Sequence, residues 1–128
     1  MNRLLLDTCT ILRLASGEGR LSRRTLLALE EASVVFVSPI SLWEIALKTK
    51  DGNLSLPNEP VEFFNDVVAN YELTVAPLSL EVMAKAVELP QHHRDPADRF
   101  LIATALLNNL SVVTTDRRFA QYGVEVLG

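Results

Sequence analysis

Short apolar runs alternate with longer segments of helical pattern along the whole chain, and no other feature restricts its fold as much. Residues 3–7 form a leucine run ending in an acid and read as a buried strand. Residues 33–37 are apolar and β-branched, and 73–76, 111–115 and 124–127 read as further strands, the last at an edge. Helices are predicted over 8–16, 22–32, 38–50, 60–71, 79–89 and 96–109, with a helical turn over 116–121. Their start signals are specific: Ser22, Ser38 and Ser79 as N-caps, and Pro39 at the first helical position. Ser16-Gly17-Glu18-Gly19 and Asp51-Gly52-Asn53 are stops. Strands separated by helices pair in parallel through right-handed crossovers. The expected fold is α/β, with a mostly parallel sheet of about five strands. Sites in such sheets lie in the crevice beyond the carboxyl ends of the strands.

A chain of 128 residues suits a single domain over 1–128, and 48% hydrophobic residues are enough for a core. The lone cysteine, Cys9, leaves no internal disulfide and suits a reducing compartment. Asp7 interrupts the apolar start, which reads as neither a signal peptide nor a membrane span, so a cytoplasmic protein is expected. A net charge of −4 argues against a general nucleic-acid binder. It leaves room for a nucleic-acid enzyme whose acidic pocket is filled by divalent cations. The arginines cluster, with Arg13, Arg20, Arg23 and Arg24 early and Arg94, Arg99, Arg117 and Arg118 late. Solvated surface is the plain account of both clusters. Arg94, Arg99 and Arg117 are nearest the acids and are candidates for a phosphate-backbone path.

Asp98 stands out among the acids. At about 100° per residue, Leu101, Ile102, Ala105 and Leu106 fan out on both sides of its direction. A carboxylate buried alone would take up a proton. Asp7 ends the first strand, Asp116 follows the fourth, and Glu44 borders the apolar face of the helix after the second. A parallel sheet brings all of them to one edge. Each has an ordinary account of its own: Asp7 and Asp116 as caps, Glu44 paired with Lys48 four residues on, and Asp98 closing a capping box with Asp95. Together they repel, by roughly 4 kcal/mol for a pair about 4 Å apart at an effective dielectric near 20. Divalent cations remove that cost, and oxygen-only donors suit Mg²⁺ or Mn²⁺. Cys9, His92 and His93 lack the spacing of a zinc site. The implied chemistry is metal-assisted phosphodiester hydrolysis, with one ion or two. Hydroxyls flank the acids: Thr8, Ser38, Ser41, Thr114 and Thr115. Thr8, Ser41 and Thr115, with Asp95, are candidates for orienting the carboxylates.

Four segments carry a family resemblance. They are Leu4-Leu5-Leu6-Asp7-Thr8-Cys9, then Ser38-Pro39-Ile40-Ser41-Leu42-Trp43-Glu44-Ile45, then His93-Arg94-Asp95-Pro96-Ala97-Asp98-Arg99-Phe100-Leu101-Ile102-Ala103-Thr104-Ala105, and Val113-Thr114-Thr115-Asp116-Arg117-Arg118-Phe119. In order and spacing the chain resembles PIN-domain proteins of the VapC toxin type over nearly its whole length. The resemblance implies a three-layer α/β/α sandwich with strand order 3-2-1-4-5. It implies a metal-dependent endoribonuclease, the toxin of a type II toxin–antitoxin pair. Such toxins commonly dimerise and are inhibited by a small antitoxin protein seated in the active-site groove. Asp7, Glu44, Asp98 and Asp116 match the family's catalytic, metal-binding acids, with Asp116 at its most variable position. Asp95 belongs to the Asp-Pro-x-Asp-Arg form of the third motif.

Rival readings are a phosphoryl-transfer enzyme of another α/β family and a non-catalytic interaction module. A haloacid-dehalogenase-like enzyme needs a second Asp where this chain has Cys9. A receiver domain needs a late lysine, and the last one here is Lys85. In an interaction module, Trp43, Phe63, Phe64 and Tyr71 would line a groove, although core packing is the simpler account of the two phenylalanines. A DNA-directed nuclease is a further alternative, since no residue announces a 2′-hydroxyl contact.

Overall fold

The structure is a computed structural model and describes residues 2–17, 21–91 and 95–128. Strand β1 (Arg3–Leu6) lies at its centre, with Leu4, Leu5 and Leu6 fully buried. A strand covered on both faces carries such an unbroken apolar run. It pairs in parallel with β2 (Val34–Val37) on one side and β4 (Ser111–Val113) on the other. β3 (Thr74–Val75) joins β2, and β5 (Val126–Leu127) joins β4, again in parallel. The five-stranded order is β3-β2-β1-β4-β5.

Side-chain alternation on β1 separates two apolar layers. Leu5 packs with Val112, with Val82 and Ala86 of α5 (Leu80–Glu88), with Leu101 and Ile102 of α6 (Pro96–Asn108), and with Phe119. Leu4 and Leu6 face the other way. Their partners include Ile11 of α1 (Thr8–Ser16), Ile45 of α3 (Pro39–Lys50), and Phe63 and Phe64 of α4 (Pro60–Asn70). Helix α2 (Arg23–Glu31) adds Ala28 and Leu29 to this second layer. The result is helices, sheet, helices. Phe63 and Phe64 are therefore core residues, whereas Trp43 and Leu47 on α3 and Leu80, Met83 and Val87 on α5 are exposed.

The elements differ from expectation at their ends. The first and fourth strands stop before Asp7 and Thr114, and each edge strand has 2 residues. The turn expected over 116–121 is a 3-10 helix, Arg117–Tyr122. Ser22, Ser38 and Ser79 cap α2, α3 and α5 through their side chains. Asn109 closes α6 in the left-handed conformation at φ 59°, its N–H donating to the Ala105 carbonyl. Among the described residues, no helix is long and apolar enough to cross a membrane.

Phe119 is 0% exposed and anchors the 3-10 helix that carries Asp116 to the core. Phe119→Ala should cost about 3–5 kcal/mol by urea denaturation, as a large cavity at a buried aromatic does. A cost below about 1 kcal/mol would show that this segment is not anchored there.

Candidate metal centre

Asp7 stands where the chain leaves β1, and it is 7% exposed. It is the N-cap of α1: Oδ1 accepts from the Thr10 backbone N–H at 2.8 Å. Oδ2 accepts from Thr114 Oγ1 at 2.6 Å. Thr114 Oγ1 in turn accepts the Asp116 N–H at 3.0 Å. One hydroxyl thus links the acid of the first motif to the acid of the fourth, across the β1–β4 pairing. Thr10 reinforces the link, its Oγ1 donating to the Val113 carbonyl at 2.9 Å. Each Asp7 oxygen keeps acceptor capacity beyond these bonds.

Glu44 comes from α3, whose start is fixed by the Ser38 cap and Pro39. Thr8 Oγ1 donates to Ser41 Oγ at 2.9 Å inside the protein. That bond stitches the start of α1 to α3, one turn before Glu44. Glu44 Oε1 is buried and has no hydrogen-bond partner among the described residues. The pairing with Lys48 suggested by their spacing therefore does not satisfy this oxygen. A buried acceptor left unpaired is costly.

Asp98 lies in the first turn of α6, and Asp95 caps that helix by accepting from the Ala97 N–H at 3.0 Å. Burial pushes the Asp98 carboxyl from its ordinary 3.8 to about 7, with added repulsion from Asp95, Glu44, Asp7 and Asp116. Three of those acids arrive from elements far away in sequence, so the sheet edge brings the quartet around a common space. Asp116 caps the 3-10 helix and forms an ion pair with Arg118 at 2.9 Å. Among the described residues, no three ligating side chains stand close enough together to enclose an ion. The donor set nonetheless fits a hard divalent cation: it is all oxygen, one buried oxygen has no partner among the described residues, and the charged form of one carboxyl is disfavoured by burial and by neighbouring acids.

The supporting residues are placed unevenly. Thr8 and Ser41 bond to each other. Thr114, not Thr115, holds Asp7, and Thr115 is exposed. The position two residues before Asp116 was the available signal, since a threonine there can accept the acid's N–H. Arg99 Nη1 donates to the Pro90 carbonyl at 2.8 Å, and its Nη2 donates to those of Ala86 at 2.8 Å and Leu89 at 2.7 Å. Its guanidinium thus closes the carboxyl end of α5, with Nη1 also donating to the Tyr122 hydroxyl at 3.4 Å, where a phosphate contact was expected of it. Arg117 is exposed. Arg94, Arg20, His92 and His93 lie outside the described residues.

Residues 4–125 match the PIN domain family. This chain belongs to that family. It is 32% identical over 123 residues to Ribonuclease VapC22 of Mycobacterium tuberculosis, covering 95% of this chain and 93% of that protein. Among solved structures it resembles VapBC2 from Rickettsia felis bound to a promoter DNA fragment, with TM-score 0.73 and 13% identity over 98% of this chain and 97% of that one. It also resembles DNA-bound VapBC from Salmonella typhimurium, with TM-score 0.71 and 20% identity over 99% and 98% of the two chains. At those identities the structural likeness is one of fold. Membership of the PIN family also sets aside the haloacid-dehalogenase and receiver readings.

In this PIN domain, folding makes the Asp98 proton harder to remove. Between about 4 and the folded value of about 7, the folded protein holds a proton that the unfolded chain has released. Stability of metal-free protein should therefore fall as pH rises through that window, with the penalty complete above about pH 7. Asp98→Asn should flatten the slope and gain about 1 kcal/mol at pH 8, after allowance for solvent screening. Urea melts in chelator at pH 5 and pH 8 measure both. A large loss at pH 8 would assign Asp98 a structural cap instead.

Proposed function

We propose that this chain is a divalent-metal-dependent endoribonuclease, the toxin of a type II toxin–antitoxin pair, built as a single PIN-like domain over 1–128. The observation that carries the reading is the convergence of acids from four segments at the edge where parallel sheets place their sites: Asp7 after β1, tied through the Thr114 hydroxyl to the Asp116 backbone, Glu44 with its buried oxygen on α3, and Asp98 in the first turn of α6. The 32% identity to Ribonuclease VapC22 supports RNA as the substrate class.

Asp7, Glu44, Asp98 and Asp116 are the residues that would hold Mg²⁺ or Mn²⁺. Bound there, such a cation supplies Lewis acidity, activating water for in-line attack and neutralising charge on the leaving oxygen. The chain's own part is positioning. Thr10 N–H and Thr114 Oγ1 each occupy one Asp7 oxygen and fix the plane of that carboxylate. The Thr8–Ser41 bond holds the Asp7 and Glu44 segments in register. Asp95 caps α6 and so fixes the first turn that carries Asp98. Arg117 and Arg94 are the candidates for guiding the RNA backbone. We further propose a cytoplasmic homodimer restrained by a small cognate antitoxin protein, in keeping with the toxin–antitoxin assemblies whose fold it shares.

Purified protein should cleave structured RNA with Mg²⁺ or Mn²⁺ and stop when chelator is added. Asp98→Asn should lower the rate at least about a hundredfold, the equivalent of roughly 2.7 kcal/mol of barrier. Circular dichroism of the variant should match wild type. Cleavage that survives both chelation and the substitution would remove the metal reading.

A further inference from the structure

Arg118 makes three contacts with Asp116. Its backbone N–H donates to Oδ1 at 2.9 Å, its Nε to the same oxygen at 3.1 Å, and its Nη2 to Oδ2 at 2.9 Å. The first is the helix cap and would survive any change of side chain. The other two form a rigid fork that places one cation across both carboxylate oxygens. Asp116 is the more sheltered partner, 23% exposed against 56% for Arg118. The guanidinium also holds its proton more firmly than usual, chiefly through the Asp116 hydrogen bond and charge, with further attraction from Asp98 and Asp95.

A divalent ion shared by the quartet needs at least one Asp116 oxygen. Both oxygens already accept side-chain donors from Arg118, and Oδ1 accepts the backbone N–H as well. An ion and the guanidinium compete for the same carboxylate and its negative charge, and the fork spans both of its oxygens. We infer that Arg118 is a built-in competitor of the metal: it neutralises Asp116 while no ion is bound, and its side chain withdraws when the quartet takes one. This rests on Asp116 being a metal ligand, as proposed above.

The test is a Mn²⁺ titration of the full chain without RNA, with free Mn²⁺ read by its electron paramagnetic resonance signal. Arg118→Gln should tighten binding by about five- to tenfold, since it removes both a competitor and a nearby positive charge. Arg117→Gln removes the adjacent exposed charge only and should tighten it by less than about twofold. In ¹⁵N spectra, the Arg118 Nε–H should be protected from exchange in metal-free protein and lose that protection at saturating Mg²⁺. Equal tightening by the two variants would reduce the effect to general charge and overturn the exchange. So would no tightening by Arg118→Gln, or an Nε–H signal unmoved by Mg²⁺. Mn²⁺ binding by none of the proteins would overturn the metal reading itself, and the exchange with it.

Discussion

Asp7 places a carboxyl group at the point where a fully buried strand leaves the core, and the surrounding elements supply the hydrogen bonds it needs there. An ionised carboxylate there survives only if its oxygens are hydrogen-bonded. The Thr10 N–H belongs to the first turn of α1, so the helix has to begin immediately after the strand. The Thr114 hydroxyl belongs to the residue after β4, so that strand has to lie beside β1 and end level with it. Meeting the needs of one buried charge thus fixes the start of a helix, the neighbour of the central strand, and the position of Asp116 two residues on.

The remaining acids have a different character. Asp7 is stabilised by donors, whereas Glu44 has a buried oxygen with no partner among the described residues and Asp98 is pushed towards its neutral form. A protein selected for stability alone would replace such groups with apolar side chains. Their presence at one sheet edge is electrostatic tension of the kind that the proposed cation would relieve, the reverse of the usual buried ion pair.

Much of this was legible in the residues because the signals are local. The caps at Ser22, Ser38, Ser79 and Asp95, the proline at 39, and the apolar runs all act within one turn or one strand, and the structure places them as read. The position of Asp98 on an apolar arc was also local, needing only the helical period. The order 3-2-1-4-5 came from family resemblance, because alternation fixes parallel pairing without fixing which strands meet. The roles of Thr114, Arg99 and Arg118 depend on how far a side chain reaches across a fold. Thr114 and Thr115 are equivalent in composition, and only the end of β4 decides which one faces Asp7. Arg99 read as a positive charge near the acids, but its reach of three carbonyls at the end of α5 is a tertiary fact.

The short outer strands have a consequence for how copies of this chain can meet. β3 and β5 each offer only 2 residues of open backbone, far less than a neighbouring molecule needs to extend a sheet. Edge-to-edge stacking, the route by which exposed sheets polymerise, is closed at both margins. The proposed self-association would thereby be channelled to helical surfaces, where apolar side chains such as Leu80, Met83 and Val87 of α5 reach solvent. Contacts between helical faces can close on themselves as a pair, which lets the concentration of assembled protein rise without fibres forming.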